Sequence, residues 1–360
     1  MGRPSRIVGL DVARAVAVLG MIVVNFRGKV HPEVATFTKL AWMLDRMEGK
    51  WAAVFVVLAG LGIGLQARAA LTALARTRLR RSLLTRAVIL LAIGLLHQHW
   101  WTWDILAFYG VYIAASVIFL WAPTAVLWTG IAGLTLGSGW QWMTLTRPEL
   151  DFWTVRGAVG KLLFWGNHPV LPWFALVLFG LWLSRQELRS SRTRTRLFLA
   201  GAIVLVIGEA LNGHVRAGGP ALADPPILDM LRNWPRPTRP GFVTTGVAFA
   251  TMAITAAVEF TEGREHTGVV TTLQAGGQLA LTLYIAHVPA ILVPLAHGWA
   301  PDLLPHLVGY AVAFYTAGLA AALWWRRRFE RGPLEGLLAA VTTPPSPPPG
   351  RTLVGPVHLR

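Results

Sequence analysis

Long apolar runs alternate with short polar breaks along almost the whole chain, and the breaks are rich in arginine. A helix needs roughly 20 apolar residues to cross a bilayer core of about 30 Å. Runs of that kind fall near 7–25, 51–67, 83–100, 104–121 and 124–143, then near 170–184, 197–213, 241–260, 276–298 and 304–325. The pattern predicts an all-α polytopic integral membrane helix bundle of about ten transmembrane helices. Three polar segments between runs are long, 26–50, 144–169 and 214–240, and the last reads as irregular from its Pro and Gly. After the tenth run, Arg331-Gly332-Pro333 stops the helix, and Leu334, Leu337, Leu338 and Val341 mark a short interfacial helix. Residues 1–343 read as one bundle and 344–360 as a disordered Pro-rich cytoplasmic tail.

Composition agrees with the pattern. Hydrophobic residues make up 54% of the chain and charged ones 14%, a balance that a soluble domain would carry only with large exposed apolar patches. With no Cys, disulfides, thiolate nucleophiles and cysteine-ligated metals are excluded. The net charge of +16 belongs to arginines in short loops beside apolar runs, where topology and anionic lipid account for it, so no nucleic-acid partner is expected. Placing both termini in the cytoplasm puts most of the 33 basic residues on the inner side. Trp100, Trp101, Trp103, Trp140 and Trp142 then fall at the outer boundary as an aromatic belt. Asp11 and Arg14 interrupt the first run, which reads as a retained span and not a cleaved leader. The expected location is the plasma membrane, multi-pass, with membrane lipid as a partner and homodimerisation left open.

Ionisable groups at membrane depth face protein or water and are candidates for function. Asp11 and Arg14 lie three apart on one helical face, either lining a cavity or neutralising each other against neighbouring spans. Asn25 opens a polar segment that carries His31, an imidazole able to act as general base or simply a solvated loop residue. His97, His99 and Asp104 form a polar cluster whose spacing is too loose for a metal motif, and no metal is expected; Asp104 can orient a neighbouring imidazole. Tyr284 and His287, one turn apart, can position a substrate carbonyl or hydroxyl, or make an inter-helix hydrogen bond. Glu209 and Asn212 carry the same two readings. The arginine run 76–86, with Arg80, Arg81 and Arg86, can hold phosphates of a cytoplasmic co-substrate or serve topology alone. Gly60-Leu61-Gly62-Ile63-Gly64 lies inside an apolar run and so permits close helix approach; it is no dinucleotide fingerprint.

Several of these segments resemble a known family. Arg6-Ile7-Val8-Gly9-Leu10-Asp11-Val12-Ala13-Arg14, running on to Val24-Asn25, is similar to the opening signature of the YeiB-type bacterial membrane proteins (domain of unknown function 418) and of their relative, heparan-α-glucosaminide N-acetyltransferase. Further matches are Phe55–Gly60, Gly94-Leu95-Leu96-His97, Asp104-Ile105-Leu106 with Tyr109, Pro172-Trp173, Gly277–Tyr284 and Phe329–Glu335, in order along nearly the whole chain. Ala15 stands where the family has Gly, and Gln278 where it has Arg. The resemblance implies an acyl group, acetyl in the first instance, moving from cytoplasmic acyl-CoA to a sugar or small polar acceptor at the outer face. His31, His287 and Asp104 would be catalytic under that resemblance. Asp11, Arg14, Asn25, His97, Tyr109 and Tyr284 would bind substrate, and Arg80, Arg81 and Arg86 the CoA phosphates. The alternative is a non-enzymatic transporter or lipid-handling bundle; sugar O-acyltransferases of the acyltransferase-3 type fit less well, since no His follows in the first span.

Overall fold

The computed structural model describes residues 6–30, 38–144, 148–217, 226–236, 238–299 and 301–342. His31 and the tail from 344 lie outside these residues. The chain is an all-α helix bundle, and among the described residues there is no strand. Its helices are α1 (Val8–Val30), α2 (Thr38–Met47), α3 (Lys50–Ala69), α4 (Ala73–His97), α5 (Leu106–Phe119) and α6 (Thr124–Thr144). Next come α7 (Val155–Gly160), continued as a π-turn over Lys161–Trp165, then α8 (Val170–Leu183), α9 (Ser191–Ala217) and α10 (Pro226–Asp229). The last are α11 (Pro240–Thr261), α12 (Gly268–Gln278), α13 (Ala280–Ala296), α14 (Leu304–Arg326) and α15 (Pro333–Thr342).

Among the described residues, five helical segments are long and apolar enough to cross a membrane: α1, Lys39–Ala69, α9, α11 and α14. The number rises to seven if α7–α8, bent by 51°, and α12–α13, bent by 78°, each count as one span. This is fewer than the ten apolar runs. The first half of α4 is arginine-rich, α5 has only 14 residues, and α6 is diluted by Gly, Thr, Ser and Gln. The apolar run read as 276–298 is broken at Leu279, and helix resumes on a new axis. Outward-facing side chains such as Ile118, Val88 and Val206 are exposed, as on a lipid-facing surface.

Helix α1 sits at the centre, packed against α3, α11, α12, α13 and α14. Small residues make this closeness possible. A Cβ at Gly277 would overlap the Asp11 backbone, and one at Gly60 would overlap the Val177 carbonyl of α8. The glycine cluster of α3 is therefore a helix-crossing surface.

The break between α12 and α13 is held from the C-terminal end of the chain. The Glu335 carboxylate accepts from the Leu281 and Thr282 amides at 2.8 and 3.1 Å and from the Thr282 hydroxyl at 2.6 Å. A side chain of α15 thus satisfies the free amides that open α13. Removing this cap with E335A should lower stability by about 1 kcal/mol, read as a fall in the unfolding midpoint in detergent, with E335Q losing less.

Candidate functional site

Two cavities lie at opposite ends of α1. Arg14 and Asn25 are separated by about 16 Å along the helix axis, at 1.5 Å per residue. One cavity, named inner after the orientation that the arginine bias predicts, is about 280 Å³ and is walled by Arg6, Arg14, Arg86, Tyr109, Gln278, Tyr284 and Glu335, among others. The outer cavity, about 460 Å³, is walled by Asn25, Asp45, Glu48, Trp103, His168 and Arg236, among others.

Arg6, Arg14, Arg86 and Glu335 are the charged residues on the largely apolar lining of the inner cavity. Asp11, buried near the start of α1, takes Arg14 at 2.7 Å and also Arg6 at 2.7 Å. The Asp11–Arg14 pair is therefore both a neutralising pair and a cavity wall. Arg86 enters no ion pair or hydrogen bond among the described residues and faces the same space. The other arginines of its run stand elsewhere: Arg80 lies over the Trp121 ring at 5.0 Å, and neither Arg80 nor Arg81 lines the cavity. Tyr109 donates to the Phe55 carbonyl at 2.5 Å, which fixes its ring at the cavity floor.

Between the cavities lies a thin polar layer. The Asn25 amide meets His287 Nε2 at 3.1 Å, and His287 Nδ1 bonds the Tyr284 carbonyl within its own helix. Asn25 lines the outer cavity and Tyr284 the inner one, so this contact separates the two spaces. Beside it, His97 Nδ1 meets Asp104 Oδ1 at 2.8 Å, while the other Asp104 oxygen accepts from the Leu106 and Ala107 amides that open α5. The Tyr284 hydroxyl accepts from the Ile105 amide at 3.2 Å and lies 3.5 Å from Asp104. Residues from α1, α4, α5 and α13 thus converge on one layer.

Trp101 is not part of an aromatic belt. It is buried, with its ring edge-on to His287 at 5.6 Å and to Trp103 at 5.6 Å, because the turn after α4 folds it inward. Sequence reasoning also passed over the outer walls. Asp45 pairs with Arg27 at 2.6 Å, Glu48 with Arg236, and His168 packs edge-on to Trp173. These residues sit in polar segments with no motif, so only their three-dimensional convergence singles them out. Glu209, one of the ambiguous pair on α9, collects Lys50, Arg46 and the Asn233 amide at 2.6–2.7 Å, while Asn212 accepts from the Asn233 backbone. That network ties the loop before α11 to the start of α3.

Residues 6–211, more than half of the chain, match the family described as "Heparan-alpha-glucosaminide N-acetyltransferase, catalytic". The chain belongs to that family. Residues 180–344 match a second description, "Protein of unknown function (DUF418)", so the two cover most of the sequence between them. No curated protein and no solved structure matches. The family membership makes this a membrane protein of acyltransferase type.

Proposed function

We propose that the protein moves an acyl group, acetyl in the first instance, from cytoplasmic acyl-CoA to a sugar or other small polar acceptor at the outer face of the plasma membrane. The observation that carries this reading is the pair of cavities meeting at one polar layer. The arginines of the inner space suit the phosphates of the donor, with Arg86 as the binding group and Arg14, held by Asp11, beside it. The outer space, with Asn25, Asp45, Glu48 and the Trp103 face, suits a polyhydroxylated acceptor. Asn25 and His287 then position the acceptor, while Tyr284 closes the donor side. A thioester reaching the layer from within can meet an acceptor held from without, and no group has to cross as a free solute.

The test is direct. Purified protein in lipid nanodiscs, given labelled acetyl-CoA and D-glucosamine, should release CoA thiol and label the sugar. Sugar flux into proteoliposomes with no thiol release would mark a transporter instead and would end this reading.

A further inference from the structure

We infer that His97, oriented by Asp104, is the base that takes the acceptor's proton, an assignment that rests on the acyltransferase reading above. The layer contains two imidazoles, and their surroundings differ in a way that matters chemically. Both ring nitrogens of His287 are engaged, Nδ1 with the Tyr284 carbonyl and Nε2 with the Asn25 amide, and among the described residues no carboxylate touches that ring. A proton gained there would have no counter-charge. His97 is arranged the other way. Its Nδ1 faces a carboxylate oxygen at 2.8 Å, and an ionised carboxylate only accepts, so Nδ1 carries the hydrogen and Nε2 carries the lone pair. Asp104 is fully buried and held by two backbone amides, which fixes the ring's orientation and offsets the positive charge that a protonated imidazole would bring.

The reacting atom is the one left over. His97 is nine-tenths buried, yet its Nε2 has no hydrogen-bond partner among the described residues. Trp101, one helical turn on, likewise has an indole N–H without a partner. A free acceptor atom and a free donor in one buried turn match a hydroxyl or amine better than they match packing. Trp101 packs on Trp103 of the outer cavity, and Tyr284 of the inner cavity touches Asp104, so this spot, which walls neither space itself, adjoins a wall residue of each.

The step balances as follows. The acceptor O–H or N–H gives its proton to His97 Nε2 as its heteroatom attacks the thioester carbonyl carbon. The carbon–sulfur bond then breaks, and the departing thiolate takes the proton back from His97 and leaves as CoA thiol. Asp104 stays ionised throughout as a positioning residue.

The experiment uses the full-length protein in nanodiscs with acetyl-CoA and D-glucosamine, following thiol release across pH and, separately, acetyl-CoA binding by calorimetry. H97Q should lose 10²–10⁴-fold in turnover while still binding acetyl-CoA, and the rise of rate with pH expected of the unaltered protein should flatten. Asp104, His287 and Tyr284 all face this ring, so D104N supplies the second variant. It keeps the amides capped but offers His97 a donor, which forces the hydrogen onto Nε2. It should therefore lose rate comparably with donor binding kept, and it decides the matter if H97Q fails to bind. Turnover within threefold of normal in H97Q, or a flattened profile in H31Q and not in H97Q, would overturn the assignment. No turnover in the unaltered protein would overturn the acyltransferase reading and this assignment with it.

Discussion

Replacing Glu209 with Ala should cost the protein about 3–5 kcal/mol of stability, because a buried ammonium would lose its only counter-charge among the described residues. Lys50 is nearly sealed from solvent at the start of α3, with its Nζ 2.6 Å from Glu209. The same carboxylate takes Arg46 at 2.7 Å and the Asn233 side chain at 2.6 Å. Three donors on three segments therefore share one acceptor. Arg46 can turn outward, since its guanidinium already lies over the Trp42 ring at 4.4 Å and Trp42 is exposed. Lys50 has no such exit. Removing the charge at its other end is the milder change: K50M should cost less than E209A, because Glu209 keeps Arg46 and Asn233. The double variant K50M/E209M should recover much of the loss, as replacing a buried pair by apolar groups of similar size often does. Thermal unfolding of the four proteins in one detergent compares these losses directly. Equal losses in E209A and K50M would show that Lys50 finds solvent and that the pair is not buried in the membrane-embedded protein.

The order of helices was largely legible in the sequence, and the reasons for the exceptions are physical. Apolar runs marked most helices, and the interfacial helix read from Leu334, Leu337, Leu338 and Val341 is α15, Pro333–Thr342. The first helix extends five residues beyond the apolar run, to Val30, because Arg27 and Lys29 sit comfortably in a last turn where carbonyls accumulate negative charge. Likewise α4 begins at Ala73, well before its apolar half, since arginine is a good helix former. Hydropathy sees neither effect, and it cannot see the bend at Leu279, which depends on Gly277 against α1 and on a carboxylate more than fifty residues away.

The candidate site divides in the same manner. Asp11–Arg14 and His97–Asp104 are local pairs, three and seven residues apart, and spacing alone suggested both. Asn25–His287 spans 262 residues, so the residues were visible but their meeting was not. Arg80, Arg81 and Arg86 look equivalent in a basic run. On a helix successive positions turn by about 100°, so a single run cannot present all of its side chains to one cavity. Only Arg86 of the three reaches the inner space.

That separation sets the second large effect. R86A should raise the KM for acetyl-CoA by about 10–100-fold, since a hydrogen bond to a charged group is worth roughly 1.5–3 kcal/mol. Turnover at saturating donor should change little, because a phosphate contact far from the thioester binds ground state and transition state alike. R86K should fall between, retaining charge but not the planar fork that fits a phosphate. Salt provides an independent check. An exposed cationic cavity is screened, with a Debye length near 10 Å at 0.1 M, so the KM of the unaltered protein should climb with ionic strength and that of R86A should climb less. R328A serves as the reference for removing an arginine elsewhere, since Arg328 lies over the Trp324 ring and is no wall of the cavity. If R86A and R328A share one KM and one salt slope, the inner cavity does not hold the donor's phosphates. The thioester would then have to arrive by another route.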